Sequence, residues 1–500
     1  MSRKQRRLFL VLNAYFLLAT LPFLGRAPRW GSAETALIAP AYQLATEGVY
    51  GNPIYREFYR SEQRNYEFMP LHPLGLTPVV ALFGTNPTAL RLLSVASGLL
   101  AAWLLFALVW RLHDVSTALA AMAILIGLWL GDGIPHVDFA RRVHYDILVP
   151  VWVLAACLVW TLGHGRLKLL LFGFLSGVAT LAHIYGAFAL AIPLLLDGWR
   201  AGRRGTVGWL LGGWLTALFP FLLYVALDFE AFRGQMGRHG GRFDLLDWRF
   251  YVENLQTERL RFQAWTESPS IGLVLLVVGV FTTHLVLVSR KRSRAEAFTL
   301  VSLGAVWVPL ALLISFKRYA YVTLLMPFFA LQVGFAVLWL WRRKGVLQGV
   351  VTLLAMAAAV ESAAGVLEAR SAELRIIPYT TMIEPIATAI PTNATVMGIP
   401  LFWMGLKEHD FVGLDLAFIE TADSATTVLK LYQPDYILVQ EHLLYQYRDD
   451  PASAPRPELV VRWSQVIRYI EEECQPPTVV SQTSTYGTVL LADCRLRSLR

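Results

Sequence analysis

The chain has 500 residues and a net charge of +8, with 56% hydrophobic and only 16% charged residues. This composition argues against a soluble globular protein and a disordered one, and it is typical of an integral membrane protein. The basic residues are dispersed over connectors and form no basic helix or patch with interleaved aromatics, so the sequence does not indicate binding to nucleic acid.

Apolar runs long enough to cross a bilayer, about 20 residues each with some shorter or tilted, recur along the first three quarters of the chain. We predict about eleven membrane helices, near residues 8–25, 88–110, 115–131, 147–163, 168–182, 186–198, 207–227, 271–289, 297–315, 320–341 and 346–366. The fifth and sixth runs are short, which also fits one broken pair. The first run has no small-residue cleavage site before Arg26, so we expect a retained anchor in the cell membrane.

Basic residues in the connectors predict the orientation, because Lys and Arg accumulate on the cytoplasmic side. They fall on one side if every run crosses once: residues 1–7, Arg111, Arg166 and Lys168, 200–204, 290–294 and 342–344. We therefore expect a cytoplasmic N terminus and an extracytoplasmic C terminus. Residues 1–370 then form a membrane domain with two large outer loops, 26–87 and 228–270, and residues 371–500 form an external domain.

The external residues 371–500 alternate predicted strands with predicted helices, which indicates a small α/β domain. The predicted strands are 394–400, 436–440, 478–482 and 488–494, and the predicted helices are 422–432 and 457–473. The domain has no GxGxxG segment after a strand and no P-loop, so we assign it no nucleotide. Cys474 and Cys494 lie in this domain, where an oxidising compartment permits either a disulfide or two free thiols, whereas Cys157 lies inside a membrane run.

The first outer loop contains a predicted helix that begins at a Ser32 cap, continues through Glu34 and Pro40, and ends at Gly48. Glu34 is a candidate catalytic base, because acids beside a membrane helix are few in such a chain. The alternative is an acid that the helix dipole favours in the first turn. A second apolar stretch, 69–83, is too short to span and is predicted to lie along the interface. It carries His72, which is either an acceptor-site residue or an ordinary interface histidine.

Several basic residues break the charge rule because they fall on the outer side. They lie in two short connectors and are Arg141, Arg142, His144, Lys317 and Arg318. External positive charge suggests a compensating anion nearby, and a lipid phosphate at the outer interface is one that fits.

Three acidic residues are predicted to lie at the same depth as these cations. Glu34, Asp138 and Asp146 lie near these cations, which is the arrangement that transfer of a sugar from a lipid phosphate requires. A carboxylate takes the proton of the acceptor as the acceptor attacks the anomeric carbon, and cations stabilise the departing phosphate. One such displacement inverts the anomeric configuration. Asp146 instead pairs with Arg142 if the two share a helical face four residues apart.

Four segments resemble the GT-C superfamily of polyprenyl-phosphate-sugar glycosyltransferases, in particular the bacterial protein O-mannosyltransferase-like and aminoarabinose-transferase-like membrane enzymes. The segments are SAETALIAPAYQLATEGVYGNP, MPLHPLGLTPVVALFG followed by ALRLLS, ARRVHYDIL, and KRYAYVTLLMPFFAL. Together they cover most of residues 1–340. The resemblance implies a GT-C-like helical membrane domain, a polyprenyl-phosphate-linked sugar as donor, and a lipid, glycan or protein as acceptor.

The resemblance also implies roles for single residues. Glu34 matches the second acid of the family's Asp-Glu pair, and Ala33 stands in place of the first, which weakens any case for a divalent metal or other cofactor. Asp146 matches the acid of the family's Arg-and-Asp segment, with Arg142 four residues earlier on the same helical face. Arg142, Arg318 and Tyr319 match basic and tyrosine positions that suit the donor phosphate, and His183 falls where related chains often carry Lys.

Other interpretations remain open at this stage. Tyr319 and Tyr321 are also the aromatics expected at a membrane interface. The basic cluster around Arg238 and His239 in the second outer loop is either a solvated loop or a flap over donor or acceptor. A transporter or flippase of lipid-linked sugars is the alternative function, although transporters usually place charges at mid-membrane and show repeated halves, neither of which the sequence has. A sensor with a ligand-binding tail would not require so many spans.

Overall fold

A computed structural model describes residues 1–162, 165–197, 203–237, 244–289, 293–418, 424–444 and 457–495. The protein consists of a large helical bundle and a small domain whose sheet packs on one end of that bundle. Arg238 and His239 lie outside the described residues.

Most helices of the bundle are apolar, and several shorter and more polar helices lie in the connectors. The helices are α1 Arg3–Thr20, α2 Ser32–Glu47, α3 Leu71–Phe83, α4 Pro87–Leu112, α5 Val115–Gly127, α6 Pro135–Ala140, α7 Leu148–Leu162, α8 Gly165–Ala182, α9 Ala191–Asp197, α10 Arg203–Ala226, α11 Phe229–Gly237, α12 Trp248–Thr257, α13 Gln263–Glu267, α14 Ile271–Val288, α15 Arg294–Leu313, α16 Val322–Trp341 and α17 Val346–Glu373. Short 3-10 helices at Pro53–Tyr55, Tyr145–Ile147, Ile184–Leu190 and Tyr319–Tyr321 join them at the outer end.

Eight helical segments in the described part of the chain are long and apolar enough to cross a membrane. They coincide with eight of the predicted runs: Pro87–Leu112, Tyr145–Leu162, Gly165–Ala182, Gly205–Ala226, Ile271–Val288, Arg294–Leu313, Tyr319–Trp341 and Val346–Glu373. The other three predicted runs are also helical. They are α1, which carries four basic residues in its first turns, the 13-residue α5, and the short apolar segment Ile184–Asp197.

The predicted outer helix is present as α2, with one correction at its start. Gly31, not Ser32, is the N-cap residue, and Ser32 is the first helical residue. Gly48 ends the helix with φ of 73°, a conformation that glycine adopts without steric cost. Pro40 lies inside the helix as predicted, and α3 packs against both α2 and α4.

The external domain contains a five-stranded mixed sheet flanked by helices. Its strands are β1 Thr395–Gly398, β2 Asp410–Gly413, β3 Tyr436–Gln440, β4 Thr478–Thr483 and β5 Gly487–Asp493, and its helices are α18 Tyr379–Ala389, α19 Trp403–Leu406, α20 Ala425–Tyr432 and α21 Pro457–Glu473. The strand order is β2-β1-β3-β5-β4, with β1 parallel to both β2 and β3 and β5 antiparallel to both of its neighbours. The four predicted strands are confirmed, and β2 was not predicted.

The hydrophobic core of the external domain does not stop at the domain's own residues. It continues into the first outer loop, where Trp30, Ile38, Tyr55 and Leu76 belong to the same buried cluster as the strands. The Oη of Tyr486 accepts a 3.1 Å hydrogen bond from the Trp30 amide, and the Tyr432 hydroxyl donates to the Arg56 carbonyl at 2.6 Å. Shared burial of apolar surface therefore holds the external domain against the outer loop.

Cys474 and Cys494 form a disulfide that joins the end of α21 to the end of β5. We expect the Cys474→Ser/Cys494→Ser variant to lose about 3 kcal/mol of stability in the external domain, because the cross-link closes a loop of about 20 residues in the unfolded chain. Thermal unfolding of the purified protein with and without reductant measures this. Reductant should destabilise the parent and leave the double variant unchanged; equal behaviour of the two would contradict the link.

Candidate functional site

A cavity of about 480 Å³ opens at the outer end of the bundle, below the external domain. This volume lies within the roughly 300–1,000 Å³ of small-molecule sites. Its walls come from the start of α2, from the 3-10 helices at the outer ends of the membrane helices, and from the external domain. Parts of the chain that are remote in sequence therefore meet at one site.

Arg318 lines this cavity and is the cation there with the clearest capacity to bind an anion. Its guanidinium lies 4.3 Å from the centre of the Phe316 ring, and it forms no ion pair with a carboxylate of the described residues. A guanidinium presents several donors in a fork that matches phosphate geometry. Arg318 thus fits the phosphate-binding role that the sequence predicts for it.

Two of the other external cations already have protein anions. Arg141 is almost completely buried, pairs with Glu373 and donates to the carbonyl oxygens of Thr20 and Pro22. Lys317 lies 2.9 Å from a carboxylate oxygen of Glu258. Each of these two cations therefore has a carboxylate partner within the protein, which it shares with an arginine: Glu373 also pairs with Arg370, and Glu258 also pairs with Arg261.

Arg142 is exposed and is not among the described residues that line the cavity. The idea that Arg142 and Asp146 share a helical face is wrong, because α6 ends at Ala140 and the chain is irregular until Tyr145. The Asp146 carboxylate lies 2.8 Å from Nδ1 of His144 instead. Nothing tests the predicted phosphate role of Arg142, and its exposed position outside the described wall argues against that role.

Two carboxylates line the cavity, and a third is buried beside it. Glu67, just before α3, and Asp415, after β2, belong to the wall. Asp146 is 4% exposed and follows the wall residue Tyr145. The site therefore combines an anion-binding guanidinium with groups able to accept a proton.

His183 lines the cavity at the turn between α8 and the next apolar helix. Its ring packs in a tilted arrangement against the rings of Tyr185 and Tyr145, with centroids 3.8 and 4.8 Å away. Burial lowers the pKa of His183 to about 4, the Asp146 charge opposing the shift, so the imidazole is neutral at pH 7. A neutral imidazole can donate a hydrogen bond but carries no positive charge, and the predicted phosphate role of His183 stays a prediction.

His72 lies behind the wall, 1% exposed. Neither of its ring nitrogens has a hydrogen-bond partner among the described residues, and burial lowers its pKa to about 3. Tyr319 is not among the described wall residues either, and its hydroxyl accepts a 3.3 Å hydrogen bond from the Trp265 indole. The acceptor role of His72 and the phosphate role of Tyr319 stay predictions.

Glu34 is buried in a network that uses both of its carboxylate oxygens. Oε1 accepts from Nε of Arg91 at 3.0 Å and from the Val143 amide at 2.9 Å, and Oε2 accepts from Nη2 of Arg91 at 2.9 Å. Arg91 is fully buried, and its guanidinium lies over the Trp30 ring. Glu34 is not among the described wall residues, whereas its neighbour Ala33 is.

Ser32, Ala33 and Ala36 line the cavity, whereas the Glu34 side chain points to Arg91 and the Val143 amide. Of the adjacent positions 33 and 34, the one that lines the cavity carries a methyl group and the acid faces the protein. The proton acceptor of the site is then best sought among Glu67, Asp415 and Asp146.

Sequence reasoning missed Glu67, Asp415 and Arg91. Glu67 lies two residues before the segment MPLHPLG, and Arg91 lies inside ALRLLS, so both were within reach of the motifs. Asp415 carried no signal. Within the described residues, no group of three His, Cys, Asp or Glu side chains is placed to hold a metal ion.

Solved structures share this architecture over almost the whole chain. ArnT from Cupriavidus metallidurans, crystallised with undecaprenyl phosphate, is similar over 97% of both chains, with a TM-score of 0.61 and 14% identity. The oligosaccharyltransferase of Archaeoglobus fulgidus, tethered to an acceptor peptide, matches 97% of this chain and 74% of its own, with a TM-score of 0.59 and 11% identity. No family model and no curated protein matches the sequence. The GT-C-like fold predicted from the sequence is confirmed.

The buried pair of Glu34 and Arg91 makes a prediction about stability. Glu34→Gln leaves a fully buried guanidinium without its counter-charge, so we expect a loss of about 3–5 kcal/mol. The Arg91→Gln variant should lose a comparable amount, and the double variant should lose less than the sum. Thermal unfolding of the four proteins measures the coupling.

The opposite result would restore the catalytic interpretation of Glu34. If Glu34→Gln unfolds at the temperature of the parent but transfers sugar about 100-fold more slowly, the carboxylate acts as a base and its pairing with Arg91 contributes little to stability.

Proposed function

We propose that this chain is a membrane glycosyltransferase that moves a sugar from a polyprenyl-phosphate donor to an acceptor at the extracytoplasmic face. The observation that carries the proposal is the cavity itself, in which Arg318 lies with carboxylates in a site at the outer end of the bundle. The shared fold with an enzyme crystallised with undecaprenyl phosphate supports the choice of donor.

The donor phosphate binds at Arg318 in this proposal. His183 adds one neutral hydrogen bond, and the polyprenyl chain remains among the apolar helices. As the bond from the anomeric carbon to the phosphate oxygen breaks, negative charge grows on the phosphate, and a fixed guanidinium stabilises that charge. The site thus favours the transition state over the bound donor.

A carboxylate takes the proton of the acceptor hydroxyl or amine while the acceptor oxygen or nitrogen forms its bond to the anomeric carbon. Glu67 is the wall carboxylate that we assign to this step, with Asp146 as the next choice. The geometry supports Glu67 better than Glu34, because both oxygens of Glu34 are occupied by Arg91 and the Val143 amide. A single displacement inverts the anomeric configuration.

The site lies outside the membrane in the orientation that the basic connectors predict. The disulfide in the external domain supports this orientation, because disulfides persist in oxidising compartments. The N terminus is then cytoplasmic, and the cavity faces the compartment in which a cell-envelope glycan, lipid or protein accepts the sugar.

Arg318→Gln should weaken binding of undecaprenyl phosphate by about 10-fold or more, because a charge-assisted contact to phosphate contributes about 1.5–3 kcal/mol. The matched comparison is Arg142→Gln, an exposed arginine outside the described wall, which should bind like the parent. Native mass spectrometry with undecaprenyl phosphate measures both. Equal weakening would return Arg142 to the site, and unchanged binding in Arg318→Gln would remove Arg318 from it.

Glu67→Gln should slow sugar transfer by about 100-fold or more and leave undecaprenyl phosphate binding intact, because the amide keeps the shape of the side chain but accepts no proton. Asp146→Asn is the parallel variant. Transfer within about threefold of the parent in Glu67→Gln, with a large loss in Asp146→Asn, would assign the base to Asp146.

Single cysteines test the orientation in a background without Cys157. We expect Glu47→Cys and Lys430→Cys, both at exposed positions, to react with an impermeant maleimide in intact cells, and Arg343→Cys to react only after lysis. Labelling of Arg343→Cys in intact cells, with protection of the other two, would reverse the orientation.

A further inference from the structure

We propose that the external domain supplies a substrate-contacting residue to the cavity, Asp415, whose carboxylate accepts hydrogen bonds from hydroxyl groups of the donor sugar. The identity of the ligand rests on the proposed function, whereas the contribution of the external domain rests on the cavity wall. This gives the domain a part in substrate recognition.

The topology of the sheet places this wall where α/β domains commonly bind ligands. Ile399 and Pro400 directly follow β1, and Asp415 follows the adjacent parallel strand β2; all three line the cavity. In open sheets with parallel strands, ligands bind outside the carboxyl ends of the strands. The external domain therefore turns the binding edge of its sheet toward the membrane site.

Asp415 is held in a defined position by the first outer loop. The hydroxyl of Tyr55 donates to Oδ2 of Asp415 at 2.7 Å, and Tyr55 is only 3% exposed. A buried phenol is a rigid anchor, so the carboxylate has a fixed direction at the cavity wall. Tyr55 itself is a wall residue, which places the contact between loop and domain within the site.

Gly413 makes room for this contact. A Cβ atom at this position would lie 2.6 Å from Oδ1 of Asp415 and 2.9 Å from Cγ2 of Ile54. Any side chain would displace either the carboxylate or the loop that carries Tyr55. The local sequence Gly-Leu-Asp thus permits the external domain and the loop to approach closely at the wall.

The negative charge of Asp415 determines which part of the lipid-linked sugar it contacts. A carboxylate repels a phosphate, so the phosphate binds toward Arg318, and hydroxyl groups of the sugar are the donors that a carboxylate accepts. Hydrogen bonds to a charged group are strong enough to change affinity by about 10-fold or more when the charge is removed. Asp415 should therefore contribute to the affinity for the sugar-bearing lipid and not to the affinity for undecaprenyl phosphate.

Lipid binding to the full-length protein tests the inference. The probes are undecaprenyl phosphate and the same lipid phosphate carrying mannose or aminoarabinose, and the variants are Asp415→Asn, Tyr55→Phe and Asp410→Asn. Asp410 pairs with Arg56 at the same boundary between loop and domain but is not among the described wall residues, so it is the matched control. Native mass spectrometry and thermal unfolding are the readouts.

We expect the parent to bind at least one sugar-bearing lipid more tightly than undecaprenyl phosphate. Asp415→Asn should remove about 10-fold of the affinity for that lipid and none of the affinity for undecaprenyl phosphate. Tyr55→Phe should have a smaller effect in the same direction, since the carboxylate loses a fixed donor but keeps its charge. Asp410→Asn should bind all three lipids like the parent.

Three results would overturn the inference while the proposed function stands: no added affinity for either sugar in the parent, unchanged sugar affinity in Asp415→Asn, or equal losses in Asp415→Asn and Asp410→Asn. The last would show that docking of the domain, not contact with sugar, is responsible. Failure of the parent to bind undecaprenyl phosphate would overturn the proposed function and the inference together.

Discussion

The buried ion pair between Glu34 and Arg91 is the interaction on which the outer end of the bundle depends. It joins the start of α2 to α4, and through the Val143 amide it fixes the connector that leads to the cavity residue Tyr145. The Trp30 ring covers the Arg91 guanidinium, and the Trp30 amide donates a hydrogen bond to the hydroxyl of Tyr486 in the external domain. Removal of either charge would leave the other buried without a partner. The pair therefore stabilises the contacts among α2, α4 and the connector at Val143.

The basic residues of the two short connectors differ in whether they have a carboxylate partner within the protein. Arg141 and Lys317 pair with Glu373 and Glu258, so these two cations have structural partners within the protein. Arg318 forms no ion pair with a carboxylate of the described residues and lies at a cavity, so its charge remains for an anionic ligand. We assign a lipid phosphate to Arg318 as that ligand.

Local patterns predicted the architecture well. Hydrophobic runs identified the membrane helices and four of the strands. The strand β2 was missed because only three residues separate it from α19 and a 3-10 helix follows it directly, so no separate apolar run stands out. In the site, the sequence singled out Arg318 because the basic connectors predict an outer position for it, and Arg318 lies in the cavity wall. Contacts between distant residues were not visible: Glu34 and Arg91 are 57 positions apart, and Tyr55 and Asp415 are 360.

If the cavity binds a polyprenyl phosphate, this lipid should remain with the gently purified protein. Mass spectrometry of the extracted lipid should identify a polyprenyl phosphate, with or without sugar, at close to one molecule per protein in the parent and well below that in a variant in which Trp replaces Ala33 and fills the cavity. Bulk phospholipids alone, in equal amounts from both proteins, would contradict the account.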